Sequence, residues 1–122
     1  MSKCYDWTQP VMSLLNKLQE ADVQIIGVND GDEYETISGN TKLAIRKDAA
    51  DMITAVDESW VRVQYKDEFA TLYIVLGNDA NEILADYRYK PNSELEGILE
   101  SVSSAFYEQW EDVKVKSTIN LN

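Results

Sequence analysis

The chain has 122 residues, of which 44% are hydrophobic and 10% aromatic, and these values are typical of one globular domain with its own core. Twenty-two acidic residues against 11 basic residues give a net charge of −11, so phosphate groups of nucleic acids or anionic membranes would repel the surface. No apolar run is long enough to span a membrane.

The N-terminal stretch MSKCYDWTQP is polar and lacks the apolar segment of a secretory signal. Cys4 is the single cysteine and cannot form an internal disulfide, which favours a reducing compartment, the cytoplasm. We expect one domain over residues 1–122, with mobile ends at residues 1–7 and 117–122.

The first predicted element is a helix over residues 8–22. Its apolar residues recur on one helical face at Val11, Leu14, Leu15 and Leu18. Thr8 is a candidate N-cap, and Pro10 lies in the first turn, where a missing N–H breaks no helical hydrogen bond. The next apolar run, residues 23–28, is rich in β-branched residues and predicts a buried strand.

Residues 28–39 contain an acidic turn that raises the question of a metal site. Its four carboxylates surround Gly31 and belong to Asp30, Asp32, Glu33 and Glu35. A calcium loop with Gly at its sixth position needs oxygen ligands at its first and third positions. Those positions fall on Ile26 and Val28, so we exclude this motif and predict a turn that leads into a strand at residues 34–38.

The stretch from residue 41 to residue 57 supports two interpretations. In the one that we favour, Gly39-Asn40 forms the turn before a strand at residues 41–45, and Asp48 begins a short helix. In the alternative, one long helix covers the whole stretch, because its apolar residues share one helical stripe: Ile45, Ala49, Met52, Ile53 and Val56.

Residues 60–76 alternate between apolar and polar side chains and predict a hairpin. We place the turn at Asp67-Glu68 and pair Tyr65 with Ala70. This register brings together an apolar set that faces the core, Val61, Val63, Leu72 and Ile74. It also pairs outer residues across the two strands: Trp60 with Val75, Arg62 with Tyr73, and Gln64 with Thr71.

Residues 82–89 alternate again and predict a third strand of the meander, with inward residues Ile83, Ala85 and Tyr87. A long C-terminal helix follows, which Ser93 and Glu96 begin at the spacing of a capping box. Its apolar stripe contains Leu95, Ile98, Leu99, Val102, Ala105, Phe106 and Trp110. The tail, residues 113–122, alternates weakly and predicts either an edge strand or a frayed end.

These elements predict a two-layer α+β domain, with an antiparallel sheet of five to six strands and three helices on one face. Their order is helix, two or three strands, helix, three strands, helix. In this order, and in size and acidity, the chain resembles the small acidic chaperones of type III secretion, and its long terminal helices resemble those of profilin-like folds. The first resemblance implies a homodimer that binds an extended client.

Residues that commonly carry chemistry are scarce. Histidine is absent, which excludes Ser-His-Asp and Cys-His catalysis, and Cys4 lacks a second cysteine for a zinc or redox motif. The five glycines match neither a P-loop nor a dinucleotide-binding motif. We therefore predict a non-enzymatic protein without catalytic, cofactor or metal sites. A carboxylate-dependent hydrolase remains an alternative, because carboxylate pairs can perform acid–base chemistry.

The C-terminal helix has a one-sided charge distribution. No Lys or Arg lies between residues 91 and 113, and the predicted solvent side holds Glu94, Glu96, Glu100, Glu108, Glu111 and Asp112. Like charges four residues apart destabilise a helix by about 0.2–0.5 kcal/mol per pair. Two interpretations stay open. One is a merely solvated acidic face. The other is a docking surface for a basic protein, formed by Glu96, Glu100, Glu108, Glu111 and Asp112.

The predicted outer face of the meander is unusually aromatic. It gathers Trp60, Arg62, Phe69, Tyr73, Val75, Leu84 and Arg88. Arg62 over Tyr73 would form a cation–π pair. Aromatic residues and Arg are enriched at the centres of protein interfaces, which favours contact with a partner or a second copy. The alternative is that another segment of the chain covers this face.

Together these features predict an acidic protein-binding module, of the inhibitor or immunity type, that docks on a basic protein surface. The helix acids would steer the approach. The anchoring residues would be Trp60, Arg62, Phe69, Tyr73 and Arg88. The homodimer that binds an extended client is the alternative among binding functions.

Overall fold

A computed structural model describes residues 7–29, 34–37, 39–77 and 79–111. The helices are α1 (Thr8–Glu20), α2 (Lys42–Thr54) and α3 (Glu94–Trp110), and a short 3-10 turn covers Ala80–Glu82. The strands are β1 (Gln24–Asn29), β2 (Tyr34–Thr36), β3 (Glu58–Tyr65), β4 (Glu68–Val75) and β5 (Leu84–Arg88). Cys4, the acids at positions 30, 32 and 33, the tail at 113–122 and most of the predicted mobile ends lie outside the described residues.

The described strands form one sheet in the order β2-β1-β3-β4-β5, and every neighbouring pair is antiparallel. The predicted α+β architecture, with helices on a sheet, is confirmed. Within the described ranges, no helix combines the length and the apolar character that crossing a membrane would need.

The core lies between the helices and one face of the sheet. Its fully buried side chains come from all three helices, from the central strands and from the turn before β5. The largest are Phe106, Leu14, Leu15, Leu18, Ile53, Leu72, Ile74, Ile83, Leu95 and Leu99. The predicted apolar stripes of α1 and α3 therefore supply most of the helical side of this core. Ser59, on the core side of β3, is buried, and its hydroxyl has no hydrogen-bond partner in the described part of the chain.

Residues 42–54 are helical, so the favoured strand at 41–45 was wrong and the alternative of a long helix is confirmed. Thr41 is extended, and its Oγ1 accepts a hydrogen bond from the Ala44 N–H at 3.1 Å, which begins the helix six residues earlier than Asp48 would. Packing against α1 decides the outcome, because Arg46 donates to Asn16 at 2.8 Å and to Gln19 at 2.9 Å.

The hairpin of β3 and β4 exists, but its predicted register was wrong by two residues. Tyr65 pairs with Glu68 rather than with Ala70, and Val61 pairs with Leu72. The turn residues are Lys66 and Asp67, and Lys66 has a φ of 55°, a positive value that tight hairpin turns require. Because side chains alternate with a period of two, this shift moves no residue to the other face.

A β-bulge changes the third strand of the meander. The pairing of β4 with β5 shifts between Tyr73 and Ile74, which leaves Ala85 exposed and sets Leu84 opposite Ile74. Leu84 consequently packs against the core, although the alternation predicted it on the outer face. Ala85 was predicted inward and is exposed for the same reason, whereas Tyr87 packs against the core as predicted.

Candidate protein-binding surface

The outer face of the sheet carries an aromatic stack across β3 and β4. Trp60 and Tyr73 are direct cross-strand partners in the observed register. Their ring centroids lie 4.9 Å apart, with 26° between the ring planes. Trp60 is 38% exposed, and no described segment of the chain covers it. This pair forms the most prominent aromatic feature of the outer face, because stacked rings present a rigid, amphipathic surface to a partner.

A cation–π contact lies beside this stack. The Arg62 guanidinium carbon is 5.4 Å from the centroid of the Phe69 ring, and Phe69 is 47% exposed. The predicted partner of Arg62 was Tyr73, so that pair was wrong. The shift in register sets Arg62 opposite Thr71, and Phe69 becomes its diagonal neighbour on the same face.

A hydrogen bond holds the rim of this surface in place. The Tyr73 hydroxyl donates to the Glu58 carboxylate, which raises the pKa of Tyr73.

A depression of about 220 Å³ opens next to the stack. Its lining residues are Trp60, Thr71, Tyr73, Asp86, Tyr87 and Arg88. The depression brings together three of the five predicted anchors, Trp60, Tyr73 and Arg88. The other two, Arg62 and Phe69, form their cation–π contact on the same face of the sheet.

The acids of α3 lie on the helical side of the molecule, away from this face. Glu100, Glu108 and Glu111 are exposed, and Asp112 falls outside the described residues. Glu96 has a structural role, because its Oε1 accepts a hydrogen bond from the Asn92 N–H at 3.2 Å. The structure therefore separates most of the predicted acidic surface from the predicted aromatic anchors.

The two surfaces approach each other at the end of β5. The Tyr87 and Tyr89 rings lie 5.6 Å apart there. Burial raises the pKa of Tyr89, and the negative charges of Glu96 and Glu100 raise it further, with smaller effects from Tyr87 and Asp86. The edge of the sheet at β5 thus connects the aromatic face with the first two turns of the acidic helix.

A polar latch, which we define as Tyr65, Lys66, Glu68 and Glu94, joins the hairpin turn to the start of α3. The Tyr65 hydroxyl donates to Glu94 Oε2 at 2.7 Å, and Lys66 Nζ lies 3.5 Å from the same oxygen. Glu68 Oε1 accepts the Leu95 N–H at 3.1 Å. Sequence reasoning missed this latch, because its members lie about 30 residues apart and no local pattern links them.

The latch is expected to stabilise the fold only at intermediate pH. The Tyr65 hydroxyl and Lys66 hold the pKa of Glu94 below its usual value, so its contribution is lost as the pH falls through the folded pKa. The hydrogen bond to Glu94 raises the pKa of Tyr65 above its usual value of 10.0. The stability that this hydroxyl contributes is therefore lost as the pH rises through the folded pKa.

Thermal unfolding of Glu94→Gln and wild type at pH 7 and at pH 3 checks this. The wild type should unfold at a slightly higher temperature at pH 7, and the difference should shrink at pH 3. An equal difference at both values would contradict the role of the Glu94 charge.

The part of the chain that the structure describes contains no group of three or more His, Cys, Asp or Glu placed to hold a metal ion. A cavity of about 530 Å³ lies between the end of α1, β1 and the start of α2. Its lining is mainly apolar, and the charged residues among the described ones are Asp22 and Lys42. The amide of buried Gln19, at its wall, is already paired with the Lys42 carbonyl and Arg46.

No known family model, curated protein sequence or solved structure matches the chain. The geometry and charge of its surfaces are therefore the basis for a functional proposal.

Proposed function

We propose that this protein is a non-enzymatic protein-binding module, of the inhibitor or immunity type, whose outer sheet face anchors a basic protein partner. The observation that carries the proposal is the Trp60–Tyr73 stack, which no described segment covers, with Phe69 and Arg62 beside it. Interface centres are enriched in these residue types, and monomers rarely leave such groups together in water. The single cysteine fits a reducing compartment such as the cytoplasm.

Two parts of the molecule contribute to binding in different ways. The outer face is nearly neutral around the stack, because Arg62 and Arg88 accompany Glu58 and Asp86. Attraction to a basic partner comes instead from the whole acidic body, whose net charge is −11 and whose α3 exposes acids. Such a charge accelerates encounter at a distance, whereas the aromatic residues provide contact energy after docking.

The proposal is tested by capture from a lysate of the source cell on the immobilised full chain. Phe69→Ser is compared with Tyr107→Ser, since Phe69 is 47% exposed on the sheet face and Tyr107 is 49% exposed on α3. We expect a basic protein that the wild type and Tyr107→Ser retain and that Phe69→Ser loses. Raising the salt concentration should slow its association sharply, because ions screen the steering charge. Equal capture by both variants, or an association rate independent of salt, would refute the proposal.

A further inference from the structure

The edge of the sheet at β5 is open within the described part of the chain. β5 pairs with β4 on one side, and no described strand lies on its other side. An open edge presents backbone N–H and C=O groups on which another strand can add. The opposite edge, β2, has only three residues, whereas β5 has five.

The backbone groups of Tyr87 face this open edge. The Val75 N–H donates to the Ile83 carbonyl at 2.9 Å, so the Val75 N–H points from β4 towards the side of β5. Hydrogen-bonded and non-hydrogen-bonded pairs alternate along an antiparallel ladder. Counted along β4 from Val75, Tyr73 and Thr71 also point towards β5, whereas Leu72 points away from it. Leu72 and its partner Tyr87 therefore form a non-hydrogen-bonded pair, and the Tyr87 N–H and C=O point away from β4.

Asp86 satisfies the outward N–H in the single chain. Its Oδ1 accepts the Tyr87 N–H at 2.8 Å. Because the Asp86 side chain is exposed, water can replace the carboxylate when it turns away. The contact therefore protects the edge of the free chain without closing it to another strand.

The charges of β5 are complementary to a second copy of the same strand. In an antiparallel pair centred on Tyr87, the two Tyr87 residues exchange both backbone hydrogen bonds across a two-fold axis. In that register Asp86 lies opposite Arg88 of the partner subunit, and Arg88 lies opposite Asp86 of the partner subunit. Both ion pairs fall on the outer face, where Asp86 pairs with Tyr73 and Arg88 with Thr71 in the present sheet. A purely basic strand would meet repulsion at Arg88.

We propose that two copies of the chain associate through β5 in this register, so that their five-stranded sheets join into one continuous sheet. The inference is independent of the basic partner proposed above. The proposed dimer places the two Trp60–Tyr73 stacks on the same face of the joined sheet.

The dimer is weak, and salt favours it. We expect a dissociation constant on the order of 10–100 µM, because a five-residue strand pair buries less than the roughly 1,600 Å² of a standard interface. Each copy carries a net charge of −11, and Glu96 and Glu100 lie near Tyr89 at the end of this edge. Raising the salt from about 50 mM to about 300 mM screens this repulsion and should tighten association, whereas docking on a basic partner should weaken.

Sedimentation equilibrium on the full chain tests the proposal with two charge reversals. The wild type should approach a mass twice 13.9 kDa as its concentration rises through the expected range. Asp86→Arg sets Arg against Arg at both positions, and Arg88→Asp sets Asp against Asp. Each should weaken association at least about tenfold, because two ion pairs become two repulsions. Asp86→Arg also lowers the net negative charge, which by itself would favour association.

Two combinations of these variants restore opposite charges across the strand pair and so distinguish this register from any other contact. The double variant D86R/R88D should dimerise like the wild type, and an equimolar mixture of D86R with R88D should form a mixed dimer. Asp51→Arg on α2, an exposed site away from β5, makes the same charge change as D86R and should leave the dimer intact. A wild type that stays monomeric at millimolar concentration, or single variants that dimerise normally, would overturn the proposal. So would a mixture of the two variants that stays monomeric.

Discussion

Replacing Phe106 with Ala is expected to lower the free energy of unfolding by about 3–5 kcal/mol, the usual cost of removing a large buried aromatic ring. Phe106 is 1% exposed and lies on the side of α3 that faces the core. Its ring centroid is 6.3 Å from that of Trp110. Trp110 in turn donates from Nε1 to Ser13 Oγ at 3.0 Å, which joins α3 to α1. The substitution therefore opens a cavity in the core beside the contact between α3 and α1.

Urea unfolding followed by circular dichroism measures this loss, and two variants calibrate it. Tyr107→Ala changes the next residue of the same helix, which is 49% exposed, and should shift stability by no more than about 0.5 kcal/mol. Phe106→Leu keeps most of the side-chain volume and should lower the free energy of unfolding less than Phe106→Ala does. It supplies the measurement if Phe106→Ala does not fold. A loss below about 1 kcal/mol for Phe106→Ala would contradict the core as described.

Replacing Trp60 with Ala is expected to weaken binding of the proposed partner by at least about 2 kcal/mol, which is roughly thirtyfold in the dissociation constant. Trp60 provides the exposed ring of the stack with Tyr73, so its removal deletes the anchor and also removes the stacking contact of the Tyr73 ring. Its 38% exposure predicts a smaller effect on folding than on binding.

Isothermal titration calorimetry with the captured partner measures the effect, and Trp60→Phe is the matched control. Phe retains a ring at the position opposite Tyr73, so the loss should stay below about fivefold, in keeping with a pair worth about 0.5–1.5 kcal/mol beyond its buried area. Circular dichroism should show both variants folded. If Trp60→Ala binds as tightly as the wild type while folded, the outer face is not the anchoring surface.

The faces of the central hairpin were predictable, whereas its register was not. Alternation alone separates Val61 and Val63 from Trp60 and Arg62, because successive side chains of a strand point to opposite faces. A slip of two residues leaves that separation unchanged, so hydrophobic pattern cannot distinguish the two registers. The turn at Lys66 and the latch from Tyr65 to Glu94 are present in the observed one.

The local hydrophobic pattern also could not distinguish a strand from a helix where the periods of both fit the same residues. The residues of α2 satisfy both a short strand and a helical stripe, and short apolar runs allow this ambiguity. The contacts of Arg46 with α1 and the buried Ile53 accompany the helix. The bulge at Ala85 was hidden for a similar reason, since it arises from pairing with β4 and leaves no mark in the alternation of β5 itself.

The sequence by itself determined the α+β class, the inward and outward sides of β3 and β4, the apolar stripes of α1 and α3 and the acidic character of the surface. These properties depend on the local repeat of the backbone and on composition, and both are readable along the chain. Tertiary structure alone decided the strand register, the helical state of residues 42–54 and the separation of the acidic helix from the aromatic face. Each of these depends on contacts between segments far apart in the chain, whose free energies no local pattern records.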